Sequence, residues 1–158
     1  MSDPRLRLAR LSDAAVLCEI AHAADNHCAA AEVGYAELIR KGRSLVVEEG
    51  GRLLGFVACE AFGREVHVWE LAVCPERQRA GMGSHLLRAA LVDARASGFA
   101  ALTLTARRDT FWEQALRTGL GFAEVDTASH PRLGKLIRTQ VEADGQHGSC
   151  VPMIRFLG

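Results

Sequence analysis

The chain of 158 residues has no net charge, 19 basic residues balancing 19 acidic ones. It therefore creates no global field that would draw it to nucleic acid or an anionic membrane, and any positive patch has to be local. No run of about 18 apolar residues could span a bilayer. The first residues, Met1-Ser2-Asp3-Pro4-Arg5, lack the apolar core of a signal peptide. The five cysteines (Cys18, Cys28, Cys59, Cys74, Cys150) are odd in number and show no Cys-x-x-Cys spacing, which argues against a disulfide framework and fits reduced thiols in the cytoplasm. A metal site is not expected from His22, Asp25 and His27, because the two histidines lie five positions apart and do not share a helix face. Internal repeats and low-complexity segments are missing too, so one domain over 1–158 is expected. Tyrosine is the scarcest aromatic, Tyr35 being the single one.

What is present is a regular alternation of strand and helix patterns. Leu6 and Leu8 alternate with Arg5 and Arg7 as a first strand with one buried face. Ser12-Asp13 offers a helix cap ahead of Val16, Leu17, Ile20, Ala21 and Ala24 at helical spacing. The polar stretch 25–28 breaks that helix, and a second is expected from near Ala30, with Val33, Leu38 and Ile39 inward and Gly42 as its stop. Strand-like runs at 44–49 and 52–60 meet at Gly50-Gly51, a hairpin signal because glycine reaches positive φ without steric cost. A turn at 62–64 leads to an apolar strand over 66–73, so strands two to four should form an antiparallel meander. A helix from near Ser84 buries Leu86, Leu87, Ala90, Leu91 and Ala94 and stops at Ser97-Gly98. A strand over 100–105 follows, and strand, helix, strand in this order implies a parallel pair. Asp109 or Thr110 can cap a helix carrying Phe111, Trp112, Ala115 and Leu116, after which Gly121-Phe122 opens a strand. An amphipathic helix over 131–142 and a last strand over 150–156 complete the chain.

Between the strand at 66–73 and its helix lies Gln78-Arg79-Ala80-Gly81-Met82-Gly83. Two glycines two residues apart let the backbone approach a ligand and turn into the helix. Helix N-terminal amides, the helix dipole and the nearby Arg77 and Arg79 all favour an anion there. A P-loop is excluded, because no Gly-Lys is followed by Ser or Thr. A dinucleotide fingerprint is excluded as well, because Leu86 stands where its third glycine belongs.

The remaining pattern, Val73-Cys74-Pro75-Glu76-Arg77-Gln78-Arg79-Ala80-Gly81-Met82-Gly83 after a strand and before a helix, resembles the signature of the GNAT superfamily of acyl-CoA-dependent N-acyltransferases. Gly119-Leu120-Gly121-Phe122 resembles the same family, and the likeness runs through nearly the whole chain, leaving the helix at 131–142 as an insertion. The resemblance implies an α/β (α+β) fold: a mixed, mostly antiparallel sheet of about six to seven strands, helices on both faces, and a central parallel pair that splays apart.

By the same resemblance, acetyl-CoA is the co-substrate and a primary amine of a small molecule or peptide the acceptor, joined in a ternary complex. The backbone of Leu71, Ala72 and Val73 would pair with pantetheine, and the amides of Gln78, Arg79, Ala80, Gly81, Met82, Gly83 and Ser84 would hold the pyrophosphate. One N–H on the Leu71 side would face the thioester oxygen. An alkyl ammonium with a pKa near ~10 needs a base. His67 and Glu70 are the candidates, on opposite faces of a regular strand. His67 is preferred because its unperturbed pKa of about 6.5 suits the task, but a bulge in the strand would turn Glu70 inward. The tyrosine that commonly protonates the departing thiolate is missing from the helix at 111–118; water or the ammonium of the tetrahedral intermediate supplies the proton, or the thiol, with a pKa near ~8.5, leaves as thiolate, with Tyr35 acting from the acceptor side as a weaker option. Asp25, Tyr35 and Trp69 would line the acceptor pocket, and a homodimer is compatible with the family. A non-catalytic acyl-CoA sensor or interaction domain is the alternative, motivated by the missing tyrosine.

Overall fold

Gly50 (φ 59°) and Gly51 (φ 82°) occupy the left-handed region and close the hairpin between β2 (Leu45–Glu49) and β3 (Arg52–Phe62). A second turn, through Gly63 (φ 60°), leads from β3 into β4 (Glu65–Val73). Together with β1 (Arg5–Leu8), which pairs with β2, these strands form the expected antiparallel meander. The computed structural model describes residues 3–24, 34–78, 81–144 and 150–158, with the backbone alone for 139–144.

The helices follow their apolar periodicity. α1 (Ala14–Ala23) and α2 (Tyr35–Arg40) come between β1 and β2. The expected start of the second helix, with Ala30 and Val33, lies outside the described residues. Asp13 does not cap α1. It closes a 3-10 turn over Leu11–Asp13 instead, its carboxylate accepting from the Arg10 amide at 2.7 Å and from the Arg7 guanidinium at 2.8 Å. The hydrogen bond from the Arg7 guanidinium holds the Asp13 carboxyl below the usual carboxylate range. After β4 come α3 (Met82–Ala96), β5 (Ala101–Arg107), α4 (Phe111–Thr118), a two-residue β6 (Ala123–Glu124), α5 (Pro131–Asp144) and β7 (Cys150–Phe156).

Seven strands make one sheet in the order β1-β2-β3-β4-β5-β7-β6. All neighbours are antiparallel except β4 and β5, which run parallel. One face carries α3 and α4: Leu86, Leu87, Ala90, Ala94 and Leu116 pack on Val57, Val68, Leu102 and Met153. The other carries α1 and α2, with Leu17, Ile20, Leu38 and Ile39 on Val46, Phe56 and Trp69. Each fully buried aliphatic side chain contributes about 1.5–3 kcal/mol, so both layers are held mainly by this burial.

The helix α5 is tied to the sheet by its first turn. His130 Nδ1 accepts from the Leu133 amide at 3.1 Å, leaving Nε2 to donate to Glu65 at 2.8 Å, and Arg132 pairs with the same carboxylate. Leu133 is fully buried, and Leu136 packs against the α1/α2 layer.

Candidate active site

The geometry of the site starts from one irregularity in β4. Ala58 pairs with Glu70 while Cys59 pairs with Val68, so Trp69 is an extra residue on β4, a β-bulge. Without it, His67 and Glu70 would alternate to opposite faces. With it, Trp69 and Ala72 belong to the α1/α2 layer, and Glu70 turns to the same side to meet Tyr35. Val66, Val68 and Val73 join the α3/α4 layer, with Leu71 packed against it.

The pairing pattern also decides where the main chain aims. The Cys74 amide donates to the Leu54 carbonyl at 2.8 Å. Antiparallel pairs alternate between bonded and non-bonded, so residues 70, 72 and 74 direct their N–H and C=O toward β3, and Leu71 and Val73 direct theirs toward β5. On that side β5 pairs with β4 only from Glu65↔Ala101 to His67↔Thr103. Beyond this point the two parallel strands part. Of the three residues expected to offer backbone to a pantetheine arm, Leu71 and Val73 therefore face the gap, while Ala72 is engaged with β3.

Gly81 stands at φ 79° as the residue before α3, a conformation in which an L side chain is strained. The first amides of the helix, at Met82, Gly83 and Ser84, have no intrahelical acceptor by the geometry of any helix. A Cβ on Gly83 would lie 3.3 Å from a methyl of Leu71 and 4.0 Å from the Trp112 ring. Gln78 folds back, its Nε2 donating to the Val73 carbonyl at 3.0 Å. Arg77 turns away to Glu49 at 3.2 Å, so the site does not rely on that side chain for its positive character.

These elements enclose a groove of about 510 Å³. It is lined by Leu71, Ala72, Val73, Gln78, Gly81, Met82, Gly83 and Ser84, which are all of the expected cofactor residues that are described. Arg79 and Ala80 lie outside the described residues. Two further lining residues, Ala24 and Trp112, were not expected from the sequence. Trp112 could have been found from its position on the amphipathic α4; nothing local marks Ala24. Gly55 was missed as well, although a glycine within a strand pattern is a signal of close backbone approach. A Cβ there would come within 2.8 Å of the Ala72 carbonyl oxygen.

On the opposite face lie the acid–base candidates. Glu70 is 5% exposed, and the Tyr35 hydroxyl donates to its Oε1 at 2.7 Å. His67 is fully buried, with Nδ1 2.9 Å from Thr103 Oγ1 and its ring edge-on to Trp69 at 5.0 Å. Trp69 Nε1 donates to Glu60 at 3.0 Å, and Lys41 pairs with the same carboxylate at 2.6 Å. Asp25 lies outside the described residues, so of the expected acceptor residues the structure brings together Tyr35 and Trp69. Burial pushes the Cys59 thiol up to about 12, which leaves it protonated and inert at neutral pH. Among the described residues no group of His, Cys, Asp and Glu side chains is arranged to hold a metal ion.

Comparison with known proteins agrees with this geometry. A family model for the acetyltransferase (GNAT) family matches residues 13–122. Similar folds include Ard1 from Thermoplasma volcanium, at 19% identity and a TM-score of 0.71, with 97% of each chain covered. The paiA N-acetyltransferase from Thermoplasma acidophilum, solved with coenzyme A, is 16% identical at a TM-score of 0.70, with 98% of this chain and 99% of that one covered. N-acetylglutamate synthase from Neisseria gonorrhoeae, complexed with coenzyme A and N-acetyl-glutamate, is 20% identical at a TM-score of 0.70; the match covers 100% of this chain and 36% of that chain.

Proposed function

The chain belongs to the acetyltransferase (GNAT) family, and we propose that it transfers the acetyl group of acetyl-CoA directly to a primary amine of a small molecule or peptide in a ternary complex. Acetyl-CoA supplies an activated thioester. The residues present fit it: a cleft bounded by main chain, a helix N-terminus for the diphosphate, and a glycine where a side chain would press on Leu71.

In this reading the amides of Gly81, Met82, Gly83 and Ser84 grip the diphosphate. Leu71 and Val73 present main-chain groups to the pantetheine arm, and the Leu71 N–H faces the carbonyl oxygen, where negative charge develops during amine attack. Glu70 takes a proton from the acceptor's ammonium, and the neutral amine then attacks the thioester carbon, the amide bond forming as the C–S bond breaks. We favour Glu70 over His67 because the bulge turns it toward the acceptor side one residue from the groove, whereas His67 is sealed in the sheet against Thr103. Tyr35 and Trp69 belong to the acceptor wall. The departing thiol, with a pKa near ~8.5, leaves as thiolate without a dedicated acid.

The bulge at Trp69 is the observation that carries this assignment, since it turns Glu70 to the Tyr35 side while the next residue, Leu71, lines the groove. The test is release of free thiol from acetyl-CoA in the presence of a panel of primary amines, alongside calorimetry of coenzyme A binding. Turnover with at least one amine is expected. Tight coenzyme A binding with no transfer to any amine would favour the sensor reading instead. A cytoplasmic location and a homodimeric state are part of the same proposal. Among the described residues no helix is long and apolar enough to cross a membrane.

A further inference from the structure

We infer that Tyr35 is a positioning residue for the reaction, holding the Glu70 carboxylate in its working orientation. This rests on the reading of Glu70 as the base. A carboxylate side chain on a strand has rotamer freedom, and a bulge alone fixes only the face to which it points. The Tyr35 hydroxyl, arriving from the first residue of α2, reduces that freedom with a 2.7 Å bond between two groups that are both at least nine-tenths buried. The ring is itself held, edge-on to Phe56 at 5.7 Å and 83°, so the hydroxyl is carried by a packed aromatic. Without the hydroxyl the carboxylate is free to leave that orientation. The effect of Tyr35 is thus readable in kcat rather than in binding.

Among the described residues, the other charged groups around this pair are engaged elsewhere or exposed. On β4 itself the neighbour is His67, bonded to Thr103. From β3 comes Glu60, engaged by Trp69 and by Lys41 beyond α2. α1 faces this layer with Leu17, Ile20 and Ala21, while its Cys18, Glu19 and His22 are exposed. α5 contributes Leu136, with Arg132 over the Phe62 ring and Glu65 paired to His130.

The experiment is Tyr35→Phe in the full chain, which keeps the ring and removes the hydroxyl, measured beside Glu70→Gln. For Tyr35→Phe we expect kcat to fall about 5–50-fold, with the KM of the amine and the coenzyme A affinity unchanged. A variant with the wild-type kcat overturns the inference. So does one that raises only the KM of the amine, since Tyr35 would then act on the acceptor. If Glu70→Gln is inactive while Tyr35→Phe behaves as wild type, only the positioning role fails. If Glu70→Gln retains full activity, the base assignment fails and the positioning role with it.

Discussion

In the proposed reaction the middle and the C-terminal part of β4 do different work with different chemistry. Its C-terminal part, Leu71 to Val73, lines a groove and offers main-chain groups toward the gap beside β5. Its middle offers the side chains of His67, Trp69 and Glu70, each held by a partner from another element: Thr103, Glu60 and Tyr35. The cofactor half thus depends on where the backbone runs, and the acceptor half on which side chains meet. A substitution that keeps the backbone should spare the first and can abolish the second.

Replacing one carboxylate by an isosteric amide gives the sharpest contrast. Glu70→Gln should lower kcat/KM by about 10²–10⁴ while coenzyme A binding, measured by calorimetry, stays near the wild-type value; a parallel loss of both would erase the division between the halves. The converse substitution acts on the groove. Gly83→Phe projects a ring toward Leu71 and Trp112 and should weaken coenzyme A binding about 10–100-fold, equivalent to an overpacking cost of ~1.4–3 kcal/mol. Gly81→Ala separates space from conformation, because a Cβ there meets nothing within 4 Å and the cost comes only from φ 79°. It should destabilise the chain by about 1–2 kcal/mol in denaturant unfolding with a smaller loss of binding than Gly83→Phe.

Gly55→Ala tests whether the backbone of β4 must lie where it does. The new methyl would stand 2.8 Å from the Ala72 carbonyl, so a loss of about 1–3 kcal/mol of stability is expected, with weaker coenzyme A binding as β4 shifts. Unaltered stability and binding would show that the groove tolerates movement of its edge. The smallest effect is expected away from both halves. Asp13→Asn weakens the contact with Arg7 and should cost about 1 kcal/mol at neutral pH, without changing activity. Arg7 lowers the folded-state pKa of Asp13 from its ordinary 3.8, so the stabilisation is present above that value and disappears as pH falls through the lower folded value. The difference between wild type and variant should therefore shrink in acid unfolding curves below about pH 4.

The groove was largely legible in the sequence because its parts are contiguous and local. Glycines at 81 and 83, a strand before them and a helix after them act within a dozen residues, and main-chain amides need no distant partner. The strand order was legible for the meander, where Gly50-Gly51 and Gly63 dictate turns. The acid–base side was not. Strand alternation places His67 and Glu70 on opposite faces, and only the pairing of β4 with β3 reveals the extra residue at Trp69. That bulge brings Glu70 to the side where Tyr35 waits.

The sequence by itself determined the succession of strands and helices, the hairpins and the glycine-built helix start, because each follows from periodicity and local backbone preference. The tertiary structure alone decided the bulge register, the end of β4–β5 pairing at His67 and Thr103, and the meeting of Tyr35 with Glu70 across 35 residues of chain. Those are outcomes of packing two layers on a twisted sheet, where the burial of many side chains together sets the register that no single segment encodes.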